Sequence, residues 1–273
     1  MEMGRPRAVK RKFLAPLLVV LVPCLLAAPG RSDAQFARAA APPPANSRQA
    51  APVDFTGYWV GIVTEDWRTR MMTPDKGDYS GIGLNAAARA VASNWDPAKR
   101  ETGDSACKAF GAPALMRIPT RLHITWVDDN TLRLETDAGT QTRVFNFNKS
   151  APQGTAPSWQ GYSLATWDGL DPRGYTWGAT STNDGGTVRP GYMTVKTSQL
   201  RPGYLRKNGV PYGEQASVEE YFESFKEPNG DVWLIVTSVV TDPQYLERPF
   251  VTSSQFRKQR DASGWHPTAC DAK

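Results

Sequence analysis

From Asp54 onward, apolar positions alternate with polar ones in short runs separated by Gly, Pro, Asn and Asp. The runs are residues 56–65 (TGYWVGIVTE), 121–127 (RLHITWV), 132–137 (LRLETD), 140–147, 159–167, 192–200, 217–225, 232–241 and 250–258. β-Branched and aromatic side chains dominate them, as they do on half-buried sheet surfaces. Asp128-Asp129-Asn130-Thr131 joins the second and third runs as a hairpin, and Pro228-Asn229-Gly230-Asp231 carries turn chemistry between two later ones. Helical periodicity is clear over residues 85–95 (NAAARAVASNW), where Asn85 caps the start and Asp96-Pro97 ends the helix. Helices do not alternate with the strands, which argues against a parallel α/β sheet. The pattern predicts an all-β fold with about nine strands, an antiparallel β-barrel or strongly curved sheet of calycin or lipocalin-like type with one short helix. A two-sheet β-sandwich is the alternative.

The first residues follow a different pattern. Arg5, Arg7, Lys10, Arg11 and Lys12 precede an apolar run over residues 13–28, and small residues lead to Ala34. These are the parts of a secretory signal peptide, here residues 1–34. The apolar run falls short of the ~20 residues that span a bilayer, and Pro16 and Pro23 interrupt it, so an uncleaved anchor is the lesser reading. Cys24 follows Pro23 rather than a small residue, which disfavours lipidation. Residues 35–53, rich in Ala and Pro, read as a disordered leader, and residues 54–273 as a single β-rich domain. The expected location is periplasmic or secreted, with no stable membrane anchor after cleavage.

Export changes the charge argument. Residues 1–34 hold six of the 32 basic and two of the 27 acidic residues, leaving 26 against 25. The isoelectric point of about 9.1 therefore owes most to the signal. The remaining bases are interleaved with acids, so a nucleic-acid partner is not expected. Cys107 and Cys270 are the cysteines outside the signal, and in an exported chain a pair is most simply a disulfide. Two free thiols are the alternative, although neither has a neighbouring His in sequence to activate it.

No H-x-x-x-H, C-x-x-C, phosphate-cradling Gly loop, G-x-S-x-G elbow or dinucleotide fingerprint occurs, so neither metal nor cofactor is expected. The richest polar stretch surrounds His123. Arg121, His123 and Thr125 share one strand face, opposite Leu122, Ile124 and Trp126; on the partner strand Arg133, Glu135 and Asp137 oppose Leu132 and Leu134. With the leucines inward, the charges form a solvated outer face. With the polar side inward, His123 and Glu135 or Asp137 make an acid/base pair inside the barrel. The loop does not settle this register.

A second cluster, Glu65-Asp66-Trp67-Arg68 with Arg70 and Lys76-Gly77-Asp78-Tyr79, reads as a rim network or as a cavity mouth where Arg68 grips a carboxylate. A third, residues 201–212 (RPGYLRKNGVPY), reads as a structured loop whose Tyr204, Arg206 and Asn208 either hold a ligand or shape a turn. Glu219, Glu220, Tyr221, Asp242 and Tyr245 are weaker candidates. Most of the nine tryptophans are expected in the core. Trp126 and Trp159, with Tyr162, are the candidates for an aromatic pocket wall.

Gly77-Asp78-Tyr79 with Leu84-Asn85, Trp159-Gln160-Gly161-Tyr162-Ser163, residues 204–211 (YLRKNGVP), and Asp242-Pro243-Gln244-Tyr245-Leu246 with Pro249-Phe250 resemble stretches of a family of exported, uncharacterised bacterial β-rich proteins. The similarity runs from about Asp54 to the C-terminus. It implies export and a β-rich fold, and carries over no catalytic residues. The functional expectation is an exported small-molecule-binding barrel for an apolar or aromatic ligand. The alternatives are a cofactor-independent lyase, isomerase or hydratase using the His–carboxylate pair, and a structural or complex-forming partner protein.

Overall fold

The computed structural model describes residues 44–168 and 191–271. The expected signal peptide, the first part of the leader and Trp177 lie outside the described residues. Each of the nine expected runs contains a strand. In chain order the strands are β1 (Gly57–Ile62), β2 (Arg121–Asp128), β3 (Thr131–Thr136), β4 (Thr142–Phe147), β5 (Tyr162–Asp168), β6 (Tyr192–Ser198), β7 (Gly203–Arg206), β8 (Val210–Tyr212), β9 (Ser217–Lys226), β10 (Val232–Thr241) and β11 (Phe250–Lys258). All but β7 and β8 close into one barrel in the order β1-β11-β10-β9-β6-β5-β4-β3-β2. Closure leaves the barrel itself no edge to template aggregation.

Alternation along the strands decides what fills the barrel. Trp59, Leu122, Ile124, Leu132, Leu134, Phe145, Phe147, Met193, Val195, Phe222, Leu234, Val236 and Phe256 form its interior cluster. The interior is thus packed with side chains, each contributing about 1.5–3 kcal/mol by burial. The register His123↔Glu135 and Ile124↔Leu134 puts the charges of β2 and β3 on the outer face, because their leucines and Ile124 take the inner one. That resolves the register left open by the loop.

One inward layer is polar. The same alternation that sends Phe145 and Phe147 inward carries Arg143 with them, and Val218 and Phe222 carry Glu220. Arg143 donates to both Glu220 oxygens (2.9 and 2.5 Å) and to Thr197 Oγ1 (3.2 Å), with both charged side chains fully buried. Ser163 Oγ and Thr197 Oγ1 share a hydrogen bond beside them (2.7 Å). Beyond this layer a second apolar cluster, including Leu84, Ala88, Leu200, Val210, Tyr212, Val218, Val240 and Phe250, closes that end.

Several features depart from the alternation-based expectation. β4 and β5 pair in parallel, since residues 148–161 supply the long crossover that a parallel pair needs. β7 and β8 form a hairpin where a loop is expected; both strands are short and β8 carries Pro211, which hides them from a pattern search. Gly209 turns it with φ +82°, and a Cβ there would sit 2.3 Å from Trp95 Cβ. The expected helix is present, accompanied by shorter ones: α1 (Ser47–Ala50), α2 (Trp67–Met71), α3 (Ala86–Ser93) and α4 (Ala112–Leu115). Asn85 caps α3, its Oδ1 accepting from Ala88 N (2.9 Å).

Residues 44–53 adopt defined structure where composition predicts a disordered leader. α1 docks on the barrel: Arg48 N donates to Asp129 O (2.9 Å), Ser47 N to Asn130 Oδ1 (3.0 Å), and the Trp167 indole to Ser47 O (2.8 Å). The segment gains these partners only once the β2–β3 turn exists. At the other terminus Cys107 and Cys270 form a disulfide, with Cα atoms 5.1 Å apart and a sequence separation of 163. Among the described residues no helix is long and apolar enough to cross a membrane.

Candidate functional site

Next to the hairpin end of the barrel, four segments surround a cleft of about 290 Å³. α2 and its C-cap supply Thr69, Arg70, Met71 and Met72, and the chain after α4 supplies Arg117, Ile118 and Pro119. The β7–β8 hairpin adds Leu205, Arg206 and Lys207, and the C-terminal tail adds Thr268, Ala269 and Asp271. The tail is held there by the disulfide, by Thr268 N donating to Asp137 O (2.8 Å) and by Thr140 Oγ1 donating to Thr268 O (2.8 Å).

Three arginines dominate the lining. Arg70, Arg117 and Arg206 are only 9%, 7% and 6% exposed. Asp66, in the left-handed region at φ 49°, starts α2; its carbonyl accepts from Thr69 N and Arg70 N, which turns Arg70 into the protein. Arg70 Nε then donates to Arg117 O (2.9 Å). Arg117 Nη2 reaches Asp66 Oδ2 (3.2 Å) and Thr69 Oγ1 (3.4 Å). Arg70 Nη1 and Arg206 Nε and Nη1 are buried without a hydrogen-bond partner. An unpaired buried guanidinium N–H carries a desolvation cost that a bound acceptor would offset.

The electrostatics agree with that geometry. Burial, then the neighbouring Arg117 charge, pushes both Arg70 and Arg206 below the ordinary arginine value. Burial also lowers Lys207, against the raising influence of Asp271. Asp78 is held below the usual carboxylate range, chiefly by hydrogen bonds from Ser80 and also by Arg68 and Arg206. A cleft of this kind, apolar on some walls and cationic on others, can bind and orient an anion.

Of the expected ligand-binding set, Arg206 lines this cleft, while Arg68 and Asn208 stand outside its lining. Arg68 pairs with Asp78 Oδ2 (2.6 Å). Asn208 Nδ2 donates to Asp75 O (3.1 Å) and Asp78 O (2.9 Å), fastening that loop to the hairpin that carries Arg206. Arg70 belongs to the sequence cluster with Arg68, whereas Arg117 and the methionines carry no local motif. Tyr204 turns away, its hydroxyl on Glu101 Oε1 (3.0 Å) and Lys108 over its ring. Trp159 Nε1 donates to Asp104 (3.0 Å) under the Arg201 guanidinium, and Tyr162 donates to the carbonyls of Lys149 and Ser150. Trp126 packs with Phe147 and Trp167, beside Arg48 and Val53 of the N-terminal segment. Like Arg68 and Asn208, none of these last four lines the cleft.

His123 and Glu135 do meet, Nδ1 to Oε2 at 3.1 Å, on the outer barrel wall. The imidazole stacks flat on Tyr58 at 4.2 Å, and the Trp265 ring stands edge-on against both. Asp137 is not part of that pair. Its Oδ1 accepts from Thr120 Oγ1 (2.8 Å), Arg121 N (2.7 Å) and Ala138 N (2.8 Å), so it organises the tail anchorage instead. Among the described residues no cluster of three or more His, Cys, Asp or Glu side chains is arranged to hold a metal ion. Compared with protein-family models, with curated proteins and with solved structures, the chain has no match in any of the three.

Proposed function

We propose that this chain is an exported binding domain that takes a small organic anion in the arginine-lined cleft, the barrel serving as scaffold. The observation that carries the reading is the convergence of Arg70, Arg117 and Arg206, each more than nine-tenths buried, with guanidinium nitrogens of Arg70 and Arg206 left unpaired. The cleft volume lies at the small end of ordinary ligand sites. The N-terminal signal pattern and the disulfide support residence in the periplasm or outside the cell. Membership of the exported β-rich family whose motifs the sequence resembles is part of the same proposal.

The acid/base alternative draws less support. His123 and Glu135 are paired, but on the outside of the barrel and pressed against Tyr58 and Trp265 rather than facing a cavity. Calorimetric titration of the full chain with hexanoate, benzoate and inorganic phosphate tests the binding reading. Saturable binding that weakens at least tenfold in Arg206→Met is expected. Binding that survives this substitution, or no binding of any of the three, would reject it.

A further inference from the structure

The mouth of the cleft has a chemistry that its arginines do not explain. α2 turns Arg70 inward and leaves Trp67, Met71 and Met72 at 64%, 59% and 63% exposed. A single exposed apolar side chain is ordinary, but three within six residues, on α2 and its extended C-cap Met72, form a patch of the kind that marks a contact surface. Met71 and Met72 also line the cleft, as do Ile118 and Pro119, so the patch is continuous with the cationic site. Methionine is unbranched and adapts its shape, which suits a lip that receives flexible chains.

We propose that the cleft takes an amphiphile, its carboxylate headgroup against Arg70, Arg117 and Arg206 and its aliphatic chain running out along Met71, Met72, Ile118 and Pro119. This rests on the anion-binding reading and names the ligand class for it. The charge balance selects the headgroup. Asp66 already engages Arg117, Asp78 engages Arg68, and Asp271 stands in the lining near Lys207. Three carboxylates around the cations repel a phosphate dianion more strongly than a carboxylate. The chain end of the ligand then covers the methionine lip that is otherwise in water.

The test is calorimetric titration of the full chain with butanoate, hexanoate, octanoate and decanoate, with octan-1-ol and inorganic phosphate as controls. Affinity rises about fourfold for each methylene that the lip covers. Octan-1-ol binds at least tenfold more weakly than octanoate, and Met71→Ser/Met72→Ser flattens the dependence on chain length. Equal affinity across the series, still lost in Arg206→Met, overturns the amphiphile and leaves the anion reading standing. No binding by any acid or by phosphate overturns both. A length dependence untouched by the double methionine variant overturns the placement of the chain on the lip. A flat series with concentration-dependent dimerisation in sedimentation assigns the lip to a second copy and likewise overturns the proposal.

Discussion

Arg143 and Arg206 are both more than nine-tenths buried, yet only the first is met by a carboxylate within its own layer. Inside the barrel, Arg143 leaves its Nε without a partner but has both oxygens of Glu220 and a threonine hydroxyl, so its charge is answered by groups that the strands themselves bring together. In the cleft, Arg206 has two nitrogens without partners, and the charge that acts on it most, that of Arg117, is of the same sign, ahead of the opposing Asp66 and Asp78. Burial of a cation therefore means different things in the two places. A pair closed on itself specifies how strands assemble, at a desolvation cost that its internal bonds offset. A cluster left open stores an unmet demand for an anion.

Breaking the closed pair has the largest expected effect. Glu220→Gln strands the Arg143 charge and lowers the unfolding free energy by about 3–5 kcal/mol in urea titration. Replacing both partners, Arg143→Leu with Glu220→Leu, recovers most of that loss if the pair serves register rather than net stability. A double variant no better than Glu220→Gln would show that the layer needs its charges.

Removing the disulfide by Cys107→Ser/Cys270→Ser comes next, at about 2–4 kcal/mol, since it releases a long loop in the unfolded chain. It also loosens the tail that walls the cleft, so anion affinity falls together with stability. In Arg206→Met the two quantities separate. Loss of a buried, unanswered cation raises the unfolding free energy by about 1 kcal/mol, while the affinity for hexanoate drops at least tenfold. A destabilisation comparable to that of Glu220→Gln would erase the contrast between the two sites.

The pH dependence sharpens the comparison further. Burial lowers Lys207 from its ordinary 10.5, so its positive charge is lost as the pH rises through the lowered value. Anion affinity should therefore fall a few-fold on the alkaline side before 10.5 is reached, and Lys207→Met should remove that fall in the same titration. The smallest effect is expected at the outer wall. His123→Phe keeps a ring on Tyr58 and should change stability by less than about 0.5 kcal/mol, with anion affinity unaltered. A large loss of binding there would bring the acid/base alternative back to the front.

Much of the scaffold was legible in the residues. The period-two runs located all nine barrel strands, and Asn85 marked the start of the longest α-helix among the described residues, which ends at Ser93, ahead of Asp96-Pro97. The same alternation also held the buried pair, because Arg143 keeps phase with Phe145 and Phe147 and Glu220 with Val218 and Phe222. Two opposite charges in inward phase were the available signal. The cleft was less legible. Arg68, Arg206 and Asn208 stand in recognisable polar clusters, but Arg117 sits alone after α4 and meets Arg70 only because α2 folds back across it.

The sequence by itself determined the strands, the alternation that packs the barrel and the helix at Asn85, since each depends on local spacing or on composition. Only the tertiary structure decided which face of β2 and β3 looks outward, that β4 and β5 run parallel, and that residues 44–53 dock on the barrel. It also decided that guanidiniums from α2, the α4 connection and the β7–β8 hairpin share one cleft. Register, crossover and convergence depend on contacts between residues far apart in the chain, and no local pattern encodes those distances.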